Sequence, residues 1–226
     1  MIVVTGGSGK AGRACVNELL AHGYELCNID LVSGGNESVP FSQVDLTDFG
    51  QTMAALSGID ERVHKVTGIV HLAAIPAPGR APNHVTFETN TMSTYNIFEA
   101  ARQLQIKNIV WASSETVLGL PFEIPPPYVP IDEEYPGRPE TAYSLSKLVG
   151  EEMAKQFCRW DPELKIIGLR LSNVMSPEDA YPRNLKSVTA ATKHTAPKAN
   201  PAAKSFHGPR EGFSWRPVFT SFEIVF

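Results

Sequence analysis

Ile2-Val3-Val4-Thr5-Gly6-Gly7-Ser8-Gly9-Lys10-Ala11-Gly12 is the stretch whose reading decides the fold. A short β-branched run passes straight into glycines at positions 6, 9 and 12, which reads as strand, tight turn and helix. Side chains in that turn would hold the backbone away from a bound pyrophosphate. The first turn of the next helix presents unpaired N–H groups and the positive end of its dipole to the same anion. Residues 11–22 have helical periodicity, Gly23 stops it, and a second strand over residues 25–29 ends in Asp30. An acid at that place accepts hydrogen bonds from an adenosine ribose and repels a 2′-phosphate. The expected dinucleotide is therefore NAD, with NADP the less favoured alternative because Lys10 and Arg13 stand beside the turn.

The 226 residues are enough for one good-sized core with an appendage. A charged fraction of 19% and a net charge of −4 attract neither nucleic acid nor a membrane surface. No segment reaches the ~20 apolar residues of a membrane helix, and Met1 leads directly into the first strand, so the expected location is cytoplasmic. Cys15, Cys27 and Cys158 form no Cys-x-x-Cys pair and the histidines have no metal-ligand spacing, so reduced thiols and no metal are expected.

Further along, residues 41–44 read as a third strand closed by Asp45-Leu46-Thr47-Asp48, and Thr47 or Asp48 can cap a helix over residues 49–56. Asp45 either faces the adenine amino group or serves its own loop. A fourth strand, residues 67–72, runs through His71 into Leu72-Ala73-Ala74, whose small side chains suit close passage of a cofactor. His71 itself reads as a packed or capped histidine. Residues 85–105 form a long amphipathic helix containing Asn90 and Asn96, and residues 107–111 a fifth strand. The alternation implies a doubly wound parallel sheet of Rossmann type with its ligand at the carboxyl ends of the strands. Ser113 and Ser114 stand at such an end. Seven prolines in residues 121–139 then make a rigid irregular loop of the kind that covers a site. Tyr143 and Lys147 lie four apart on one face of the next helix, which runs to about residue 160. A nearby ammonium is expected to lower the tyrosine pKa from ~10, fitting the pair for moving a proton while a hydride moves to or from nicotinamide. A sixth strand over residues 165–171 precedes Ser172-Asn173-Val174.

These residues together resemble the extended short-chain dehydrogenase/reductases, the NAD-dependent epimerase/dehydratase group, from Met1 to about Pro177. Thr5-Gly6-Gly7-Ser8-Gly9-Lys10-Ala11-Gly12 is similar to the family's Thr-Gly-x-x-Gly-x-x-Gly. Asp30, Asp45-Leu46, His71-Leu72-Ala73-Ala74, Asn90, Ser113-Ser114 with Gly119, Tyr143-x-x-x-Lys147 and Arg170-x-x-Asn173 fall in the family's order. The resemblance implies that Gly6, Gly9, Lys10, Ala11, Gly12, Asp30, Asp45, Leu46, Leu72, Ala73, Ala74 and Asn90 line the cofactor. It implies further that Ser114 polarises a substrate oxygen, with Ser113 its less favoured partner, and that Tyr143 is the general acid/base. Lys147 would tune Tyr143 and hold the nicotinamide ribose, and Asn173 would touch the substrate. The group's sugar-nucleotide dehydratases carry Asp-Glu after the Ser114 position. Glu115-Thr116 stands here, which speaks against water elimination. The serine strand end, the chain length and the proline loop are also similar to uronate dehydrogenases.

From Ala180 onward the net charge is +5, leaving −9 for residues 1–179. Residues 1–179 are thus expected to form the NAD-binding domain, and residues 180–226 an atypical basic tail, largely irregular, in place of the family's substrate lobe. Within that tail only residues 218–226 read as strand-forming. The expected activity is NAD-linked oxidation of a sugar, sugar acid or nucleotide-sugar hydroxyl, ranked slightly above epimerisation. A catalytically weak dinucleotide-binding module and a tail-mediated interaction protein are the alternatives. The resemblance also implies a homodimer and a small carbohydrate-type substrate. If Asp30 meets the adenosine ribose, Asp30→Ala narrows the preference for NAD over NADP about tenfold or more in calorimetric titrations, and an unchanged affinity ratio rules that role out.

Overall fold

The computed structural model describes residues 1–58, 65–120, 122, 124–132 and 135–175. They belong to a unit running Met1–Asp179; the second unit, Ala180–Phe226, with the expected basic tail and its 218–226 strand, lies outside the described residues.

Six strands, β1 (Ile2–Thr5), β2 (Leu26–Asp30), β3 (Phe41–Gln43), β4 (Gly68–His71), β5 (Asn108–Ser114) and β6 (Lys165–Leu171), form one sheet in the order β3-β2-β1-β4-β5-β6. Every pairing is parallel, with Val3 opposite both Cys27 and Ile69, and Ser114 opposite Leu171. The helices are α1 (Lys10–Ala21), α2 (Phe49–Leu56), α3 (Asn83–Gln103) and α4 (Ala142–Trp160). Successive strand side chains point to opposite faces, and β1 divides the core accordingly. Val3 joins Cys27, Ile29, Ile69, Phe98, Trp111 and Phe157, whereas Val4 joins Val16, Leu26 and Val39. Both faces are therefore covered, which is why β1 reads as a nearly continuous apolar run instead of an alternating one.

On the α3–α4 side, Phe98 meets Trp111 and Phe157 edge-on at 6.1 and 5.8 Å between ring centroids. That contact pulls α3 and α4 onto β5. Helix α3 also buries Thr86, Asn90, Ser93, Thr94 and Asn96, and these polar groups matter for the site below. Asp48 caps α2 by accepting from the Gln51 N–H at 2.9 Å. Thr141 and Ser144 cap α4 reciprocally, which sets where Tyr143 enters the helix.

The connection from β1 leads outward to β2 and β3, and the chain then returns across β1 to β4 and β5. This reversal opens a crevice at the carboxyl ends of β1 and β4. The glycine turn sits there. A Cβ on Gly12 would lie 2.0 Å from the Gly6 carbonyl oxygen, and one on Gly6 would lie 2.6 Å from the Ala73 nitrogen, so α1 and β4 press directly on the turn. Gly12→Ala accordingly destabilises the protein by about 2 kcal/mol or more, read as a lower urea midpoint. An unchanged midpoint means that the turn yields freely.

Candidate functional site

At the glycine turn, Gly6 has φ +71° and Gly9 begins α1 without a side-chain cap; no acidic residue occupies the helix's first turn. The first-turn N–H groups of Lys10, Ala11 and Gly12 are those an anion can take. Ser8, which the sequence reading passed over, ties the turn to the end of β2. Its N–H donates to Asp30 Oδ2 at 3.1 Å, its hydroxyl donates to the Val32 carbonyl at 2.8 Å, and it accepts from Asn28 Nδ2 at 3.1 Å. The other Asp30 oxygen accepts from the Leu31 N–H. Asp30 thus stands at the crevice in a fixed orientation. Asp45 serves its own loop, its Oδ1 accepting from the N–H and hydroxyl of Thr47. Leu46 is buried and its carbonyl accepts from Asn96 at 2.9 Å.

A buried polar chain runs from this turn to the helix carrying Tyr143. The Ala73 N–H donates to Thr5 Oγ1 at 3.3 Å, and Thr5 Oγ1 lies 2.7 Å from His71 Nδ1. His71 Nε2 lies 3.4 Å from Thr94 Oγ1, which donates to the Asn90 carbonyl at 2.8 Å. Because the Thr94 proton is committed to Asn90, His71 carries its own proton on Nε2 and accepts at Nδ1 from Thr5. Burial, assisted by the Lys147 charge, lowers the His71 pKa to about 3, so the ring is neutral, in the packed and capped role read from sequence. The Asn90 side chain accepts from the Ile75 N–H at 2.8 Å and donates to the Ile75 carbonyl and to Ser146 Oγ. Ser146 in turn donates to the Tyr143 carbonyl at 2.7 Å. Asn90, expected at the cofactor, is used here as a clamp that joins the loop after Ala74 to α4; Leu72 hydrogen-bonds through its N–H to the Thr5 carbonyl.

Tyr143, Ser114 and Lys147 come together at the end of β5. All three are buried, Lys147 with 4% of its surface exposed. Ser114 Oγ accepts from the Thr116 N–H at 3.2 Å and from the Thr116 hydroxyl at 2.9 Å, and hydrogen-bonds to Tyr143. Lys147 Nζ donates to the Ala112 carbonyl at 2.8 Å and lies 5.4 Å from the Trp111 ring centroid and 5.8 Å from that of Tyr143.

Two expectations are corrected. Ser113, read as a possible partner of Ser114, donates to Glu151 Oε1 at 2.6 Å, and Glu151 is gripped bidentately by Arg170. Strand β5 continues to Ser114, so the two serines fall on opposite faces. The Tyr143 pKa is raised from its ordinary 10, because burial outweighs the hydrogen bond from Ser114. Burial also acts on Lys147 itself, bringing its ammonium down to about 8. Asn173 is exposed just beyond β6. Among the described residues no cluster of His, Cys, Asp or Glu could hold a metal ion, and no helix is long and apolar enough to cross a membrane.

A parallel doubly wound sheet with an uncapped glycine turn at its reversal point defines a Rossmann-type dinucleotide-binding domain. The family model for the NAD dependent epimerase/dehydratase family matches residues 2–205, and the chain belongs to that family. A putative UDP-glucose 4-epimerase of Methanocaldococcus jannaschii is 35% identical over 185 residues, covering 77% of this chain and 56% of the relative. Among solved structures, UDP-glucose 4-epimerase of Thermus thermophilus in complex with NAD has a TM-score of 0.61 at 29% identity, covering 75% of this chain and 54% of that one. A mutated uronate dehydrogenase has a TM-score of 0.60 at 28% identity, with 73% and 56% covered. The chain spans about half the length of the curated relatives it matches.

Lys147 is costly to bury. It releases its proton near pH 8 in the folded protein and near 10.5 when exposed, so the unfolded chain binds more protons between those values. The penalty, about 3 kcal/mol, is complete below pH 8 and fades as pH rises toward 10.5. Lys147→Met therefore stabilises the fold by roughly 1–3 kcal/mol at pH 7 in urea titrations, and the advantage over wild type shrinks toward pH 10.5. A variant less stable at pH 7 refutes this account of Lys147.

Proposed function

We propose that the chain binds NAD at the Gly6–Gly12 turn and Asp30, and catalyses the oxidation and re-reduction of a nucleotide-sugar hydroxyl, as a sugar-nucleotide 4-epimerase does. The observation that carries this reading is the buried Ser114–Tyr143 hydrogen bond with Lys147 beside it, at the carboxyl end of β5.

NAD in the crevice supplies a reversible hydride acceptor. The side chains handle the proton. In its phenolate form Tyr143 takes the proton of the sugar hydroxyl as that carbon is oxidised, and returns it when the ketone is reduced. Ser114 donates a hydrogen bond to the same sugar oxygen, steadying the charge that develops there. Lys147, held by the Ala112 carbonyl and the Trp111 ring, places a positive charge 5.8 Å from the Tyr143 ring and favours the phenolate whenever it is protonated. Burial of all three excludes water, which would otherwise exchange protons with the pair. Asn173, exposed past β6, is available to the substrate.

The sequence alone ranks simple oxidation slightly above epimerisation; the relatives, UDP-glucose 4-epimerases from an archaeon, plants, a bacterium and animals, favour epimerisation. Oxidation of a sugar acid is the second reading, supported by the uronate dehydrogenase neighbour. The implied homodimer would use α3 and α4, where Met92, Tyr95 and Leu145 are exposed.

The test is incubation of the full chain with UDP-galactose and NAD, following UDP-glucose formation and NADH absorbance. An epimerase interconverts the sugars without net NADH, whereas a uronate-type dehydrogenase accumulates NADH with a sugar acid and leaves UDP-galactose untouched. Tyr143→Phe cuts turnover about 10²–10⁴-fold and leaves the NAD dissociation constant nearly unchanged. NAD binding without turnover on either substrate overturns the reading in favour of a cofactor-binding module.

A further inference from the structure

Ser114 has a hydrogen-bonding environment that leaves its hydroxyl one choice. A hydroxyl carries one proton and two lone pairs. Both lone pairs of Ser114 Oγ are engaged by Thr116, through the backbone N–H at 3.2 Å and the side-chain hydroxyl at 2.9 Å. The residue is 5% exposed, so water does not compete. Only the proton remains for the group that Ser114 faces across the site, which is Tyr143.

We propose that the Thr116 hydroxyl is a positioning device that fixes Ser114 as an obligate hydrogen-bond donor toward Tyr143 and toward the oxygen of a bound substrate. The consequence for the substrate rests on the function proposed above; the consequence for Tyr143 does not. A donor stabilises negative charge on the oxygen it faces, whether that is the Tyr143 phenolate or a sugar alkoxide. Without the Thr116 hydroxyl, one Ser114 lone pair is released. Ser114 can then rotate and accept from the Tyr143 O–H, a reversed bond that favours the neutral phenol. Thr116 occupies the turn Glu115–Leu118 directly after β5, begun by Ser114 in extended conformation (φ −149°, ψ 144°), so the hydroxyl is delivered by the turn's own geometry. Glu115, its neighbour, is only partly buried, whereas both described donors to Ser114 Oγ belong to Thr116, so the function falls to Thr116.

Thr116→Val keeps the side-chain shape and the backbone N–H bond but deletes the hydroxyl. Thr116→Ser restores the hydroxyl, and Thr116→Ala deletes it without the second methyl, in case valine disturbs the turn. The first readout needs no turnover: phenolate absorbance of each protein, minus that of the same protein carrying Tyr143→Phe, at one alkaline pH at which circular dichroism shows all of them folded. The Tyr143 phenolate fraction falls about tenfold in Thr116→Val and Thr116→Ala and recovers in Thr116→Ser, a shift of about one pKa unit. Equal phenolate fractions in wild type and both hydroxyl-free variants, or failure of serine to restore the signal, overturn the proposal. The second readout is epimerase turnover, in which Thr116→Val lowers kcat about 10- to 100-fold with KM little changed. A phenolate shift without turnover in wild type supports the Thr116 assignment and refutes only the function proposed above.

Discussion

A run of buried hydrogen bonds from Thr5 through His71, Thr94, Asn90 and Ser146 to the Tyr143 carbonyl ties the glycine turn to α4. Its members come from β1, β4, α3 and α4, elements far apart in sequence. Apolar packing alone brings these elements together, as the Phe98–Trp111–Phe157 cluster does, but it does not fix their rotation to within a fraction of an ångström. Directional bonds in a dry interior do. The crevice at the glycine turn and the buried Ser114–Tyr143–Lys147 group are therefore held in one frame.

Within that frame, the end of β5 concentrates unfavourable electrostatics. Lys147 is stripped of water and compensated by one carbonyl and the faces of two rings, Trp111 and Tyr143. The indole has room there because residue 150 is glycine; a Cβ would stand 2.6 Å from Trp111 Cη2. The fold tolerates a cation that weakens it, supported by a large aromatic side chain and the residue that makes space for it. Strain of this kind is expected where a group is kept for reactivity and not for stability.

The fold was largely legible in the sequence. Phe49–Leu56 and Lys165–Leu171 have the limits their patterns give, and the other elements move by one to three residues; Gly23 and Asp48 mark helix ends in the sequence, whereas the Thr141 cap emerges from the structure. The single substantial extension, β5 continuing from Trp111 to Ser114, had a chemical consequence: strand alternation sends Ser113 to Glu151 and Ser114 to Tyr143, which a strand ending earlier does not reveal. The candidate site was legible as residue types and spacings, since Gly6, Gly9, Gly12 and Asp30 meet at one crevice and Ser114, Tyr143 and Lys147 at the end of β5. Its supporting residues were not. Ser8, Asn28, Ser146 and Thr116 are ordinary polar letters in the chain, and only tertiary geometry shows which lone pair each one fills. The direction of the Tyr143 shift was misread because the four-residue spacing gives proximity to Lys147, whereas the balance is set by burial depth.

His71 has a broader consequence. An imidazole with its pKa near 3 does not change charge anywhere in the range where cells live. The polar frame between the turn and α4 is consequently insulated from acidity, and each of its bonds keeps one polarity from Ala73 to Asn90. Lys147 and Tyr143 can therefore change charge beside a set of bonds that holds its own arrangement.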